Sequence, residues 1–288
     1  MQCYHRLIEN CGHVLYIDPV SARMLPPKKS LGQNFLRDDN VARNIVESLH
    51  LRSDDTTVEI GPGGGALTKL LQGRCSRVIA IEVDQRAVRV LQETFGDSIE
   101  LVHADVRAVS LGEFTRRRKG KLRVVGNIPY NITSEILFWL FDQHDVVEDA
   151  TLMVQLEVAR RFVARTATKE YGILSVFLQY YTEPELLFKV SRNSFYPKPT
   201  VDSAVVRLRF KHELPDCNME LFRAIVRGTF GKRRKTLRNS LRYLGFTDDL
   251  LNRSGFDLGR RPESLTLREF LDLTADLDRF SESITDKL

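Results

Sequence analysis

At 288 residues, 42% of them hydrophobic and 28% charged, the chain is long enough for one large domain plus a smaller one and too mixed for a disordered or fibrous protein. No run approaches the ~18 apolar residues of a membrane span, and the four cysteines (Cys3, Cys11, Cys75, Cys217) form no CxxC pair, so they read as reduced thiols. The net charge of +5 is mild, so a polyanion partner must be read from where the charge gathers.

Residues 1–23, "MQCYHRLIENCGHVLYIDPVSAR", lack the charged start and long apolar core of a secretory signal, and Glu9 and Asp18 argue against a mitochondrial transit segment. Cys3, His5, Cys11 and His13 match no common zinc spacing, so no metal is expected. This stretch is expected to be a disordered extension. Organised protein begins at "MLPPKKSLGQNFL".

Val41, Ile45, Val46 and Leu49 share a helical face, with Asp38 or Asp39 as cap. Then strand and helix patterns alternate: "TTVEI" (strand), "ALTKLLQG" (helix), "RVIAIEVD" (strand), "QRAVRVLQETFG" (helix), "IELVHADV" and "LRVVG" (strands), "SEILFWLFDQ" (helix), "ATLMVQLE" (strand), "VARRFVARTA" (helix). Alternation of this kind predicts an α/β domain with a parallel, doubly wound sheet. "EPELLFKV" and "SAVVRLRF" have no helical pattern between them and predict an antiparallel hairpin at the sheet edge. After "KHELPD" the pattern is helical. The expected division is therefore 24–211 for the α/β domain and 212–288 for a smaller helical one.

The strand ends carry the chemistry. "EIGPGGGALT" follows a strand and opens a helix, and Gly61, Gly63 and Ala66 satisfy G-x-G-x-x-G/A. Alone that says only that a ligand hugs the backbone at this turn. Glu82, about 20 residues on, ends the next strand, where an acid would hold ribose hydroxyls. The third strand ends at Asp105 and the fourth in "GNIPY". Taken singly, Asp105 reads as a helix cap and Glu82 as a surface acid. Together they predict a nucleoside-containing cofactor outside the carboxyl ends of the strands.

NAD and S-adenosylmethionine both present an adenosine. A hydride-transfer site has no use for "NIPY", whereas an amino methyltransferase does. An exocyclic amine is a poor nucleophile because its lone pair is delocalised into the ring. Asn127 and backbone carbonyls held by Pro129 would accept its hydrogens and aim it along the methyl–sulfur bond. Tyr130 would stack on a base drawn out of its neighbours' stack.

"KKSLGQNFL", "EIGPGGGALT", "GNIPYNIT", "SFYPKPTVDSAVVRL", "FGKRRKTLRNSL" and "RPESLTLREF" together resemble the ribosomal RNA adenine-N6 dimethyltransferases, from about Lys28 to about Leu273. "GQNFL" with F-x-P-x-P-x-V-x-S is specific to that family, and the basic segment and "RPESLTLREF" favour its small-subunit branch over the erythromycin-resistance branch. The resemblance implies a Rossmann-like class I S-adenosylmethionine-dependent methyltransferase fold with a C-terminal helical domain. It implies that Asn34, Leu36 and Gly61 contact the cofactor, that Glu82 holds its ribose and Asp105 its adenine, and that Asn127 stands between cofactor and target. It implies that Asn127, Pro129 and Tyr130 hold the target adenine, with Phe195 stacking on the base's other face. The substrate implied is 16S rRNA in the immature small ribosomal subunit, dimethylated at two adjacent adenosines of its 3′-terminal hairpin loop by a cytoplasmic monomer. Gly64, Ile128 and Leu156 depart from residues common in that branch, and Ile128 is frequent in the resistance enzymes.

The charge gathers between Leu221 and Phe246, with eight Arg or Lys and no Asp or Glu. Arg234, Arg238 and Arg242, spaced i, i+4, i+8, are expected on one helical face against RNA, with Leu237, Leu241 and Leu244 anchoring the helix. "RRRKGK" (Arg116 to Lys121) reads as a solvated loop. The rival readings are a 23S rRNA methyltransferase, a non-catalytic assembly factor and, last, an NAD dehydrogenase.

Overall fold

The computed structural model describes residues 25–116 and 120–279, so the expectations for the extension and for most of the "RRRKGK" loop lie outside the described residues. After a two-residue strand β1 (Phe35–Leu36), helix α1 (Asp39–Ser48) starts where sequence chemistry places it. The Asp38 carboxylate accepts from the backbone N–H groups of Asn40 and Val41 at 3.0 and 3.3 Å. Ala42, Ile45, Val46 and Leu49 are its buried side.

β2 (Thr56–Ile60), β3 (Arg77–Glu82), β4 (Glu100–His103), β5 (Leu122–Asn127) and β6 (Val147–Gln155) run parallel, in the order β4-β3-β2-β5-β6. Every residue of β2 is buried, as a strand covered on both faces requires. The connections are α2 (Thr68–Leu71), α3 (Gln85–Phe95), the short α4 (Gly112–Thr115) and α5 (Thr133–Phe141). α2 is shorter than "ALTKLLQG" suggested, because the glycine turn runs on to Leu67.

Beyond β6 the chain forms α6 (Leu156–Phe162) and α7 (Ile173–Tyr181), then the expected hairpin: β7 (Thr182–Val190) pairs antiparallel with β9 (Ser203–Phe210). β9 slots between β6 and β7, so β7 is the edge. A two-residue strand β8 (Phe195–Tyr196) leaves the hairpin loop to pair with β1. Helix α7 has no sequence expectation behind it. "ILSVFLQYY" is apolar nearly all round, because it is buried between the sheet and the C-terminal helices, and a helix covered on all sides shows no polar stripe.

The C-terminal helices are α8 (Met219–Gly231), α9 (Leu237–Tyr243), α10 (Asp248–Arg253) and α11 (Leu267–Asp278). Phe138 of α5 meets Phe177 of α7 edge-on at 5.3 Å between ring centroids, and Phe177 meets Phe222 of α8 at 5.7 Å. One apolar cluster thus runs from the sheet into the C-terminal helices, so the change of pattern near Lys211 does not mark a break in the core.

Candidate active site

A cavity of about 560 Å³ opens at the carboxyl ends of β2, β3 and β5. Its wall includes Asn34, Leu36, Gly61, Glu82, Asp105, Asn127, Pro129 and Tyr130.

The turn after β2 is shaped by left-handed backbone. Gly63 has φ +55°, and a Cβ there would lie 2.9 Å from the Phe35 ring, so glycine is required on two counts. Its N–H donates to Glu82 Oε2 at 3.0 Å, while Glu82 Oε1 accepts from Val83 and Asp84 N–H at 2.9 and 2.8 Å. Glu82 is buried, and burial pushes its carboxyl above the ordinary value against those three bonds. A carboxylate at a strand end, tied to the glycine turn and facing the cavity, has the acceptor chemistry for vicinal hydroxyls. Glu82→Gln replaces one acceptor oxygen by a donor facing backbone N–H groups. It is expected to weaken S-adenosylmethionine binding by about 10- to 150-fold, the worth of a charged hydrogen bond, with RNA affinity unchanged; calorimetry with the cofactor checks it.

Glu59 carries no expectation from sequence, although an acid inside "TTVEI" is a visible signal. It is buried in mid-strand on the cavity wall, and the Thr68 hydroxyl donates to it at 2.7 Å. Burial, with the charge of Glu82 adding, raises its carboxyl to about 7. The folded chain therefore holds a proton that the unfolded chain gives up near 4.5. Glu59's contribution to stability is full below pH 4.5 and is lost as pH rises to about 7. Glu59→Gln is expected to flatten the loss of stability across pH 4.5–7, read as melting temperature against pH.

A strap, residues 25–36, lies along the cavity. Gln33 Nε2 and Lys28 Nζ donate to buried Asp84 at 3.1 and 3.3 Å, and Arg86, which also binds Asp84 at 2.6 Å, donates to the Pro26 carbonyl at 3.0 Å. The Arg86 guanidinium holds the Asp84 carboxyl well below the carboxylate range. Gly32, φ +61°, lets the strap pass close to Asn131, whose Oδ1 a Cβ would strike. Asp84, which closes the "RVIAIEVD" run in the sequence, also caps α3, since it accepts from Arg86 N–H. Only the fold reveals the strap contacts.

At the end of β5, Asn127 Nδ2 donates to the Asn34 carbonyl at 2.8 Å. That bond fixes the amide so that Oδ1 is the free acceptor. Pro129 commits its own carbonyl to Ile132 N–H and the Thr133 hydroxyl. The Tyr130 hydroxyl bonds Ser203 Oγ at 2.7 Å, tying "NIPY" to the S of F-x-P-x-P-x-V-x-S. Asp105 faces the cavity and is gripped by Arg107 (2.6 Å to Nη2), which holds its carboxyl below the ordinary range. It also caps the short turn that follows, so cap and cavity residue coincide.

Two placements differ from expectation. Phe195 is not on the cavity wall. It is 4% exposed and packs with Leu36, Ile45 and Val205, while its neighbour Tyr196 lines the cavity at 42% exposed. β8 alternates like any strand, with Phe195 opposite Leu36 and Tyr196 opposite Phe35, so only one of the two aromatics can face outward. The arginines also separate. Arg234 lies in the turn before the Thr236 cap and is not part of α9, so the three do not share a helical face. Arg242 and Arg238 reach Asp248 at 2.5 and 3.7 Å, just past the acid-free stretch. Leu237 and Leu241 are the buried anchor expected of them.

The pattern of the family described as "Ribosomal RNA adenine dimethylase" matches residues 25–275. The chain belongs to that family. It is 44% identical over 250 residues to the "Ribosomal RNA small subunit methyltransferase A" of Chlorobium phaeobacteroides, covering 87% of this chain and 93% of the relative. The protein of the same name from Salinibacter ruber is 44% identical over 270 residues, covering 90% and 88%. Among solved structures, a dimethyladenosine transferase from Plasmodium falciparum superposes with TM-score 0.72 at 24% identity, covering 86% of this chain and 98% of that one. The 23S rRNA methyltransferase ErmE superposes with TM-score 0.63 at 32% identity, covering 85% and 100%. The fold is that of the class I methyltransferases.

Proposed function

We infer that the chain is an S-adenosylmethionine-dependent rRNA adenine N6,N6-dimethyltransferase of the small ribosomal subunit. Its substrate is two adjacent adenosines in the 3′-terminal hairpin loop of 16S rRNA, reached in the immature particle by a cytoplasmic monomer. The observation that carries the reading is the Asn127 amide, oriented by the Asn34 carbonyl and presented in the same cavity as Glu82.

The residues suit the cofactor. A Cβ built on Gly61 meets nothing within 4 Å, so the turn opens on free space, and the Glu82 carboxyl on the same wall supplies acceptor oxygens for a cofactor's hydroxyls. When bound, S-adenosylmethionine supplies a methyl group on a positively charged sulfur. Glu82 would hold the ribose hydroxyls and Asp105 the adenine, with Leu36 and Asn34 of the strap closing over it. Asn127 Oδ1 accepts one hydrogen of the target amine. With Pro129's own carbonyl engaged, the second acceptor is the Ile128 carbonyl, in the peptide bond the proline ring holds. Two acceptors draw hydrogens out of the base plane, which localises the nitrogen lone pair toward the methyl carbon. Tyr130, anchored through Ser203, offers its ring to the base. The transfer needs no strong base, since the amine sheds its proton after the new bond forms.

Labelled S-adenosylmethionine and unmodified small-subunit particles test the reading, with large-subunit particles in parallel and nucleoside mass spectrometry to identify the product. N6,N6-dimethyladenosine in the small subunit alone is expected. Label confined to the large subunit sinks the assignment.

For RNA affinity the placement favours Arg234 and Lys235, both exposed in the turn before α9, over Arg238 and Arg242, which already face Asp248. Neutralising Arg234 and Lys235 together is expected to flatten the salt dependence of RNA binding by about 0.7–0.9 slope units for each phosphate that the chain no longer neutralises. Neutralising Arg238 and Arg242 should change it less.

A further inference from the structure

We propose that Tyr196 and Arg37 form a second base-binding site at the cavity rim, a stacking platform for the unpaired base next to the one being methylated. The inference rests on the rRNA methyltransferase reading above.

Three observations place the platform. Among the described residues, Tyr196 is one of few large apolar side chains left substantially exposed, at 42%, and it belongs to the cavity wall. The Arg37 guanidinium lies over its ring, 4.0 Å from the centroid. The paired strands β1 and β8 hold both from the backbone: Tyr196 is opposite Phe35, and the Arg37 N–H donates to the Ser194 carbonyl at 2.8 Å. Phe35 and Arg37, two residues apart, therefore share the outward face with Tyr196, while Leu36 and Phe195 fill the core behind.

The guanidinium covers one side of the ring, so a single aromatic face is open. A ring fixed this way, backed by a cation, is the kind of surface on which single-stranded bases stack. It is not the target's own site. The target amine must reach Asn127 at the end of β5, inside the cavity, whereas a base on Tyr196 sits at the rim, half in water. A nucleotide that is flipped out of a loop leaves its neighbour's base without a stacking partner, and that base gains from a new surface. An aromatic ring at the mouth, backed by the Arg37 cation, supplies one.

The test uses the full chain, S-adenosylmethionine and unmodified small-subunit particles. Tyr196→Ala is expected to raise KM for the particle by roughly 5- to 150-fold, and Tyr196→Phe, which keeps the ring, to behave as wild type. The dinucleotide ApA is expected to inhibit wild type roughly 5- to 150-fold more strongly than adenosine monophosphate, an advantage abolished in Tyr196→Ala. Calorimetry with S-adenosylhomocysteine verifies that each variant is folded. An unchanged KM in Tyr196→Ala, a fall in kcat with KM intact, or equal inhibition of wild type by the two nucleotides overturns the platform. Wild-type protein that leaves the particles unmethylated overturns the substrate assignment instead, and the nucleotide comparison then still decides the platform.

Discussion

Replacing Asn127 by Ala is expected to lower the rate of methyl transfer by about 10²–10³-fold, the cost of losing one preorganised hydrogen-bonding partner where charge shifts in the transition state. The side chain has two ends with separate duties. Oδ1 is the acceptor proposed for the amine, and Nδ2 holds the strap through the Asn34 carbonyl at 2.8 Å. Substitutions can divide them. Asn127→Asp keeps an acceptor oxygen for the amine but turns a second oxygen against the Asn34 carbonyl, where a donor stood. Two acceptors face to face repel, so the aspartate variant should push the strap outward. The expected pattern is crossed: Ala hurts the single-turnover rate most, and Asp hurts S-adenosylmethionine affinity most. Rapid-quench kinetics with labelled cofactor, alongside calorimetry, measures both. Equal affinity losses in the two variants would mean that the strap does not depend on this bond.

The same separation explains what could be read in advance. Strands β2 and β5 were legible because short β-branched runs bounded by Gly and Asn turn residues mark strands, and their polar ends marked the ligand side of the sheet. The Asp38 cap was legible because capping is local chemistry. Helix α7 was not, since burial on every side removes the periodicity that would announce it. The arginine spacing failed for a local reason. Thr236 caps α9 by accepting from Asn239 N–H, so the helix starts beyond Arg234, and regular spacing across a cap places nothing on a common face. Glu59 is visible in the sequence as an acid inside a strand pattern, and only the burial of β2 on both faces gives it meaning. Asp84 was not readable as the anchor of the strap, because its partners Lys28 and Gln33 lie far away in sequence.

That long-range set holds the strap along the cavity. The strap is pinned at one end by Asp84 and Arg86 and at the other by the β1–β8 pairing, with Asn127 between. Two of these pins follow the ends of β3 and β5, so the strap is held against the ligand edge of the large sheet. A cofactor bound beneath it would touch Asn34 and Leu36 above and the glycine turn below. This is why residues at the start of the family's pattern bear on a site formed mostly by residues far along the chain.

Phe195→Ala separates a core residue from a base clamp, and its effect should be large. Truncating a buried Phe removes its packing and leaves a void, at a cost of about 3–5 kcal/mol. Phe195 is 4% exposed and packs with Leu36, Ile45 and Val205, behind the strands that carry the strap and Tyr196. In a chain of this size the loss corresponds to a drop in Tm of roughly 6–20 °C. If the ring instead stacked on the base, the fold would be nearly as stable as wild type and the second methylation would suffer. The monomethylated amine has one N–H left for two acceptors, so stacking must then carry more of the alignment. Monomethyladenosine would accumulate. The burial predicts the opposite: a large fall in Tm and, at a temperature where the variant is folded, a wild-type ratio of mono- to dimethyladenosine at matched turnover. Calorimetric melting with nucleoside mass spectrometry over a time course measures both, and an unchanged Tm with accumulating monomethyladenosine would return Phe195 to the base.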